Sequence, residues 1–246
     1  MRFLILSDIH ANWEALEASL NSAAGQYDSI VCCGDLIGYG PDPNRVVDWV
    51  RGNVAFVIRG NHDKATLGPE ILEWFNPVAR SAAIWTLKEL TPENLEYVKL
   101  LTKGPLAVDG YQIVHGSPLD EDEYLIGAAE VGQAFQYLDR DLTFFGHTHV
   151  QGGFAMTRRR MRVIEGSRPD DEEAALDLSP DDVYLINPGA IGQPRDGDPR
   201  AAYVLYDPEE RCVVYHRAEY DIAGVQAKIR RAGLPDVLAA RLAIGQ

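Results

Sequence analysis

The stretch Val54-Ala55-Phe56-Val57-Ile58-Arg59-Gly60-Asn61-His62-Asp63 joins an apolar run to a polar turn. The run 54–58 is rich in β-branched and aromatic side chains, which predicts a buried strand. The glycine allows the backbone to turn sharply where that strand ends. The three residues after it offer an amide oxygen to a metal, an imidazole that titrates near neutral pH, and a carboxylate to hold that imidazole. We therefore expect a site with metal and proton chemistry at the end of this strand.

Five other apolar runs along the chain end in a similar short polar turn. These turns are Ser7-Asp8-Ile9-His10, Gly34-Asp35, His115-Gly116, Gly146-His147-Thr148-His149 and Asn187-Pro188-Gly189. In open α/β sheets, ligands bind where the strands end at their carboxyl side. The pattern therefore predicts a sheet rim that gathers the polar side chains from six strand ends.

The segments between these strands show helical spacing, and the later part of the chain returns to strands. Helices are predicted over 12–24, 43–51, 79–101 as two helices, 129–138, and 221–243 as two helices. Further strands are predicted over 150–157, 160–164, 201–206 and 211–216. This order predicts an α/β fold, a four-layer αββα sandwich of two mixed sheets flanked by helices. No linker or repeat divides the chain, so residues 1–246 are expected to form a single domain.

The net charge of the chain is −14, and half of this negative excess lies in residues 165–182, which contain eight acidic residues and one arginine. This segment is predicted to be an acidic surface insertion. Phosphate backbones are held chiefly by lysine and arginine, so non-specific binding of nucleic acid is not expected. No apolar stretch approaches the length of about 20 residues that spans a bilayer, so no membrane contact is expected. Residues 1–6 read as a strand rather than a signal peptide, and we expect a cytoplasmic protein.

Imidazole side chains are concentrated at the predicted strand ends. Five of the six histidines lie there: His10, His62, His115, His147 and His149. The same turns carry carboxylate and amide side chains: Asp8, Asp35 and Asn61. A set without thiolates suits manganese, iron, zinc or nickel in a catalytic site and differs from a cysteine-rich structural zinc site. The sixth histidine, His216, lies inside an apolar run and is predicted to be structural.

The order of these motifs resembles the signature of the calcineurin-like metallophosphoesterase superfamily. The matching pieces are Asp8-x-His10, Gly34-Asp35, Gly60-Asn61-His62-Asp63, His115-Gly116 and Gly146-His147-x-His149. A Gly-Asp pair alone is uninformative, whereas five pieces in the order of the family are specific. The turns at residues 7–12 and 187–189 are further similar to those of the small bacterial and archaeal phosphodiesterases of the superfamily.

The resemblance implies a site for two divalent transition-metal ions, with manganese favoured and iron, zinc or nickel as alternatives. One ion would be held by Asp8, His10, Asp35 and His149. The other would be held by Asp35, Asn61, His115 and His147, so that Asp35 bridges the pair. Ions about 3.5–4 Å apart bind a bridging hydroxide that attacks phosphorus, and they clamp the phosphoryl oxygens. The resemblance thus implies a metal-dependent phosphoric ester hydrolase.

The resemblance also implies catalytic roles for His62 and Asp63. His62 is not needed as a ligand and is expected to be the general acid that protonates the departing oxygen. Asp63 is expected to orient that imidazole and to favour its protonated form. Both residues follow the run 54–58, so they are expected at the same rim as the ligands.

Two further positions bear on the substrate, Tyr39 and Arg195. Protein phosphatases and symmetrical dinucleotide-tetraphosphate hydrolases of the superfamily resemble Gly-Asp-x-x-x-Arg-Gly in the second motif, where the arginine grips phosphate. Here Tyr39 stands at that position, which favours diesters over dianionic monoesters. Tyr39 is expected either to stack on a nucleobase or to pack in its turn. Arg195, in the glycine-rich loop 187–197, is expected either to supply the missing grip or to pack under the site.

The leading prediction is a dinuclear phosphodiesterase that acts on a nucleotide or another small phosphodiester. A phosphomonoesterase or protein phosphatase of the same superfamily is one alternative. A non-catalytic binding scaffold is another, since some members resemble the fold but lack the motif histidine that is present here as His62. The acidic balance disfavours a DNA-processing nuclease. Trp74 and Phe75 are expected to be either core residues or part of a helix over the cleft.

Overall fold

Residues 1–158, 160–167 and 173–246 are described by the computed structural model of the chain. The strands are β1 Phe3–Leu6, β2 Ser29–Cys32, β3 Phe56–Val57, β4 Leu106–Val108, β5 Tyr111–Ile113, β6 Leu142–Phe144, β7 Gly152–Thr157, β8 Arg160–Glu165, β9 Glu173–Asp177, β10 Val183–Asn187, β11 Ala201–Asp207 and β12 Cys212–Ala218. The α-helices are α1 Trp13–Ser22, α2 Pro43–Asn53, α3 Asn61–Lys64, α4 Pro77–Glu89, α5 Pro92–Lys99, α6 Ala128–Ala134, α7 Ile222–Arg231 and α8 Asp236–Leu242. Short 3₁₀ helices cover Ala65–Leu67, Pro69–Trp74 and Phe135–Tyr137.

These strands form two mixed sheets of six strands each. The first sheet has the order β3-β2-β1-β11-β12-β9, and the second has the order β4-β5-β6-β10-β7-β8. In the first sheet β1, β2 and β3 run parallel, while β11, β12 and β9 are antiparallel to their neighbours. In the second sheet β5, β6 and β10 run parallel. Each sheet therefore contains one block of three parallel strands.

The alternation of side chains along β1 shows how the layers are held together. Phe3 and Ile5 are fully buried between the two sheets, where the ring of Phe3 meets Tyr111 of the second sheet edge to face at 5.3 Å. Leu4 and Leu6 point the other way and pack with apolar residues of α1 and α2. On the far side, α6 covers the outer face of the second sheet. The predicted four-layer αββα sandwich is confirmed.

The parallel blocks explain why the polar turns meet. Parallel strands end at the same edge of a sheet, and the turns that follow β1, β2, β3, β5, β6 and β10 are the six quoted above. Backbone hydrogen bonds tie neighbouring turns together: Asp8 N to Gly34 O at 3.0 Å, Gly146 N to His115 O at 2.8 Å, and Gly192 N to Asp8 O at 2.9 Å. The predicted rim is therefore a continuous, hydrogen-bonded layer of turns.

The prediction of a buried strand over 54–58 is wrong in extent and in burial. Only Phe56 and Val57 form β3, and Phe56 is 37% exposed. The reason is position, because β3 lies at the edge of the first sheet and pairs with β2 alone. Ile58 is fully buried, and Arg59 N donates to the carbonyl of Thr102 at 3.0 Å. These contacts fix the position of the following turn, residues 60–63, at the rim.

The acidic segment 165–182 lies partly outside the described residues, since 168–172 are not covered. Its later part forms β9, which pairs antiparallel with β12 at the edge of the first sheet. The acidic residues Glu173 and Asp177 are exposed, whereas Ala174 and Leu176 pack against the core between the sheets. The sequence pattern did not predict β9 or β4. In β9 the acidic residues obscure the alternation of apolar and polar side chains, and β4 has only three residues, too few to show one.

The predicted helices all form, and two begin at the capping residues that sequence favours. The Asn12 side chain accepts a hydrogen bond from Ala15 N at 3.2 Å, and Thr91 Oγ1 accepts one from Asn94 N at 3.3 Å. The C-terminal pair α7 and α8 packs with α4 in a separate apolar cluster that also contains Tyr39. Among the described residues, no helix combines the length and the apolar composition needed to cross a membrane.

Candidate metal centre

The seven predicted ligands meet at the rim, and we call them the ligand rim: Asp8, His10, Asp35, Asn61, His115, His147 and His149. Asp8, His10, Asp35 and His149 place ligand atoms within 4.8 Å of one another. Asp35 forms a second group of the same tightness with His115 and His147. Asn61 Oδ1 lies 3.2 Å from His115 Nε2 and so faces the second group. Asp35 is shared by the two groups, in the arrangement that the resemblance implied.

The backbone of the ligand rim is strained. Left-handed φ angles occur at five of its non-glycine residues: Asp8 at 52°, His10 at 48°, Asp35 at 55°, His147 at 66° and His149 at 60°. Such a conformation costs about 1–3 kcal/mol per residue and persists only where the surroundings enforce it. The turns enforce it here through bonds such as His10 N to Asp35 O at 2.9 Å. In this left-handed conformation the side chains of the turns converge on one point.

Backbone carbonyls hold four of the rim histidines in defined orientations. The Nδ1 atoms of His10, His115 and His149 lie 3.0, 2.9 and 2.6 Å from the carbonyl oxygens of Ile37, Cys33 and Gln193, respectively. In His147 it is Nε2 that contacts a carbonyl, that of Asp122 at 3.1 Å. A carbonyl oxygen only accepts, so the bonded ring nitrogen must carry the hydrogen. In the neutral ring the other nitrogen then carries a lone pair, as a metal ligand requires.

These lone pairs converge, which is the test of whether the residues fit a metal. Nε2 of His10 and Nε2 of His149 face each other at 3.1 Å. The Oδ2 atom of Asp35 is buried, has no hydrogen-bond partner among the described residues, and lies 3.5 and 3.4 Å from Nε2 of His10 and His115. Lone pairs that face one another in a buried site repel unless a cation lies among them. The donor set therefore fits divalent metal ions.

The charge balance of the rim favours cations as well. Burial by itself would raise the pKa of Asp8 and Asp35, but the facing imidazoles hold both values below the ordinary range. Burial lowers the pKa of His147 to about 3 and that of His10 well below its usual value. Burial would also lower the pKa of His115, but Asp35 opposite it raises the value to about 10. Two carboxylates thus lie beside the imidazoles of His10 and His147, whose lowered pKa values leave them without a positive charge.

His62, which is not one of the ligand-rim residues, differs from the four histidines of the ligand rim because no carbonyl of the described residues binds its ring. Its Nδ1 is buried and has no hydrogen-bond partner within residues 1–158, 160–167 and 173–246. The ring is packed between Tyr39 and Phe75, with centroid distances of 4.3 and 4.9 Å. A Cβ added to Gly38 would lie 2.4 Å from His62 Nδ1, so the ring needs a glycine there. Burial lowers the pKa of His62 to about 4.

Asp63 does not contact the imidazole of His62, which corrects the expected pairing. Its carboxylate accepts hydrogen bonds from the backbone N–H groups of Gly60 at 2.9 Å, Leu36 at 3.0 Å and Ile37 at 3.3 Å. These bonds join the turn after β3 to the turn after β2. Asp63 is therefore placed to hold the two turns together, and the prediction that it favours the protonated form of His62 finds no contact in the structure.

A cleft of about 380 Å³ opens in front of the ligand rim. Asn61, His62 and His147 form its floor, and aromatic side chains form its sides. Trp74 is 89% exposed, so the alternative that it is a core residue is wrong. A larger cavity of about 520 Å³ lies nearby, but none of the ligand-rim residues lines it. The smaller cleft is therefore the one that opens onto the ligand rim.

Tyr39 and Arg195 lie together beside the rim. Arg195 Nη2 is 3.4 Å from the hydroxyl of Tyr39, whose ring packs 4.6 Å from the ring of His10. The sequence did not single out Tyr124, whose ring stacks on that of His147 with a centroid distance of 3.9 Å. Tyr124 lies in an irregular segment without a periodic pattern. The sequence also did not single out Gln193, whose carbonyl orients His149. No local signal in the sequence marks either residue.

Comparison with known proteins agrees with this geometry. The model of the calcineurin-like phosphoesterase family matches residues 1–151. A metallophosphoesterase of known structure from Sphaerobacter thermophilus is 42% identical, with a TM-score of 0.84 over 100% of this chain and 99% of that one. An uncharacterized protein of Methanocaldococcus jannaschii is 36% identical over 98% of this chain and 97% of its own length. A hypothetical protein of Pyrococcus horikoshii shares the fold, with a TM-score of 0.76 at 20% identity over 100% and 98% of the two chains.

The two facing sheets and the rim of carboxylates and imidazoles define a metallophosphoesterase. The chain belongs to the calcineurin-like phosphoesterase family. Membership supports a metal-dependent phosphoric ester hydrolase, with aspartate and histidine side chains positioned for a metal site.

Proposed function

We propose that the protein is a dinuclear, metal-dependent phosphodiesterase that hydrolyses a nucleotide or another small phosphodiester, with Mn²⁺ as its metal. The observation that carries the proposal is the position of Asp35, which faces both groups of ligand atoms with a buried oxygen that has no other described partner. One ion would be held by Asp8, His10, Asp35 and His149. The other would be held by Asp35, Asn61, His115 and His147. Ions held there supply the positive charge that binds phosphoryl oxygens and makes a nucleophile available at neutral pH.

His62 is proposed as the general acid. Its ring borders the cleft, and no backbone carbonyl of the described residues occupies either ring nitrogen, so both nitrogens are available to exchange a hydrogen bond and a proton with the departing oxygen. The ring stays close to the ligands, with its centroid 4.9 Å from that of His10. Asp63 acts on this group only indirectly, by holding the turn that carries it.

Tyr39 supports a diester substrate over a monoester. A phosphomonoester is a dianion at neutral pH, and a site for it gains from a cation beside the metals. The residue at that place is the neutral Tyr39, which is 7% exposed and packs against His10 and His62. Arg195 reaches the hydroxyl of Tyr39 from behind, without lining the cleft. Lys64 also lines the cleft, but its charge is paired with Glu121 and Asp122, so the monoanion of a diester is the better match for this environment.

Exposed aromatic side chains support a substrate with a planar group. Trp74 and Tyr124 both line the cleft, with exposures of 89% and 46%, and Phe75 lies between Trp74 and His62 along the wall. Bases stack on such side chains with about 1–3 kcal/mol each. A nucleobase is the planar group that accompanies a phosphodiester in nucleotides, so these positions favour a nucleotide substrate.

The test begins with protein stripped of metal and reloaded with Mn²⁺, Fe²⁺, Zn²⁺ or Ni²⁺. Each form is assayed with p-nitrophenyl phosphate, bis(p-nitrophenyl) phosphate and then a panel of nucleotides. We expect Mn²⁺ to give the highest kcat/KM and the diester to exceed the monoester. Equal or higher kcat/KM for the monoester would overturn the diester assignment. Absence of turnover with every metal and substrate would overturn the enzyme and favour a binding scaffold.

A further inference from the structure

Two arginines meet close to the ligand rim, and no carboxylate of the described residues lies between them. Arg195 lies in the loop between β10 and β11, and Arg241 lies near the end of α8. Nη2 of Arg195 is 3.3 Å and Nη1 of Arg241 is 3.1 Å from the same atom, Oε1 of Gln193. The distance between Nη2 of Arg195 and Nη1 of Arg241 therefore cannot exceed the sum of these two hydrogen-bond lengths. Gln193 is neutral and 1% exposed, so it joins the guanidinium groups without balancing their charge.

The acidic residues nearest in sequence are already paired with other arginines. Asp196 binds Arg217, and Asp198 binds Arg200 with a closest distance of 2.6 Å. Within residues 1–158, 160–167 and 173–246, neither Arg195 nor Arg241 forms an ion pair. In addition, Nε of Arg241 is buried and has no hydrogen-bond partner in the same described part of the chain. Like charges at this separation repel, and an anion bound between them removes the repulsion.

The arginine pair is connected directly to the metal centre. The carbonyl of Gln193 orients the ring of His149, while its side chain holds both guanidinium groups. Arg195 also reaches Tyr39, whose ring contacts His10 on one side and His62 on the other. The arginine pair is therefore separated from the rim by single residues, Gln193 on one path and Tyr39 on the other.

We propose that Arg195 and Arg241 form an anion subsite that binds a second phosphate group of the substrate, beside the phosphate that is hydrolysed. This inference rests on the proposed function and narrows it to diesters that carry another phosphate. Guanidinium groups suit this task because their planar donor forks match phosphate oxygens, and two forks can divide the oxygens of one tetrahedral anion. In a chain with a charge of −14, a pair of arginines that has no acidic partner in the described part of the chain selects anions locally.

The first experiment counts phosphate sites in the Mn²⁺-loaded protein by isothermal titration with inorganic phosphate. The variants are Arg195→Gln and Arg241→Gln, with Arg241→Lys to retain charge without the fork. Arg230→Gln is the matched control, because it removes an exposed cation of the same helical region that is paired with Asp236. We expect two sites in the wild type and in the control, with the second weakened at least about 10-fold in both glutamine variants. The lysine variant should lie in between.

One phosphate site in the wild type, or a second site of equal affinity in Arg241→Gln, would overturn the subsite. This readout does not require turnover. If no ester is hydrolysed while the second site is present and depends on both arginines, the proposed function fails and the anion subsite stands. If esters are hydrolysed while the second site is missing, the subsite fails and the proposed function stands.

The second experiment asks whether the bound anion belongs to the substrate or is free phosphate. KM is compared for thymidine 5′-(p-nitrophenyl phosphate) and for the same diester with a phosphate on its 3′ hydroxyl. We expect the added phosphate to lower KM at least about 10-fold in the wild type and in Arg230→Gln. Arg241→Gln should abolish that difference. An added phosphate without effect on KM in the wild type would overturn the assignment to substrate and leave free phosphate as the occupant.

Discussion

The ligand rim and the wall of the cleft are built in opposite ways. Every aspartate and histidine of the rim is buried, and the turns that carry them are joined by backbone hydrogen bonds and carbonyl contacts. One side of the wall is the short 3₁₀ helix Pro69–Trp74, with long bonds such as Ile71 N to Gly68 O at 3.3 Å. It ends in Trp74, which is 89% exposed. The rim is thus fixed by a network of backbone hydrogen bonds, whereas the wall is held by a small apolar cluster of Ala65, Leu72 and Ala83 and leaves Trp74 exposed.

This difference separates two tasks. A rim that keeps strained residues in one geometry is suited to chemistry, which depends on distances of a few tenths of an ångström. A wall with an exposed aromatic side chain is suited to contact with the substrate. Substitutions in the rim should therefore change metal content and kcat, and substitutions in the wall should change KM.

The strongest test is Asp35→Asn, which removes the one charge shared by both groups of ligands. We expect loss of both ions by elemental analysis and a decrease of kcat/KM by about 10⁴-fold, since each metal contributes several kcal/mol and about 1.4 kcal/mol corresponds to a factor of ten. The control is Asp109→Asn at an exposed loop position. Retention of two ions by Asp35→Asn would contradict the shared role of this carboxylate.

The next largest effect is expected for His62→Asn. Loss of a general acid should lower kcat by about 10³-fold for a diester with a poor leaving group such as phenol, while the metal content stays unchanged. The loss should be smaller with p-nitrophenol, which departs without a proton. His216→Asn is the control, because His216 is not part of the ligand rim and its ring stacks on that of Tyr203 with a centroid distance of 5.1 Å. An equal loss for both leaving groups would indicate a positioning role instead.

Gly38→Ala tests whether packing alone places His62. The new methyl group would lie 2.4 Å from His62 Nδ1, and the backbone there has a φ of +88°, so the ring must move. Misplacement by about 1 Å costs about 10²-fold in kcat. Gly132→Ala is the control, since a Cβ there meets nothing within 4 Å. Unchanged kcat in Gly38→Ala would show that the position of the ring is not critical.

Trp74→Ala tests the wall. We expect KM for a nucleotide diester to rise about 10-fold through loss of stacking, with kcat changed less than twofold. Tyr137→Ala removes another exposed aromatic side chain, outside the cleft, and should leave KM unchanged. A KM effect of the same size on bis(p-nitrophenyl) phosphate would point to a general contact with aromatic rings, and a loss in kcat alone would contradict the division between rim and wall.

Metal binding should also appear as stability, because the ions bind only the folded rim. At a free metal concentration of 100 times Kd the gain is about 2.7 kcal/mol, which corresponds to about 5–10 °C in Tm for a chain of this size. Addition of EDTA should remove that increment in the wild type. In Asp35→Asn the same treatment should shift Tm by less than about 2 °C. A wild-type Tm that is insensitive to EDTA would contradict a metal site in the rim.

Much of the fold and of the rim could be predicted because both follow from short patterns. Apolar runs with polar exits, such as Phe3–Leu6 before Asp8, identify parallel strands, and parallel strands must end at one edge. Burial could not be read in the same way, since the run 54–58 became a two-residue edge strand. The contact expected between Asp63 and His62 failed for a related reason: the direction of a side chain depends on the neighbours that pack against its backbone.

The sequence alone determined which ligand types occur, in what order, and that each follows a strand. These are properties of a few consecutive residues, and local propensity and periodicity are sufficient to specify them. Only the tertiary structure decided which ring nitrogens face inward, that Tyr124 covers His147, and that Arg241 meets Arg195 at Gln193. Such contacts join residues that are distant along the chain. They are set by how helices and loops pack around the two sheets, and no local pattern encodes that packing.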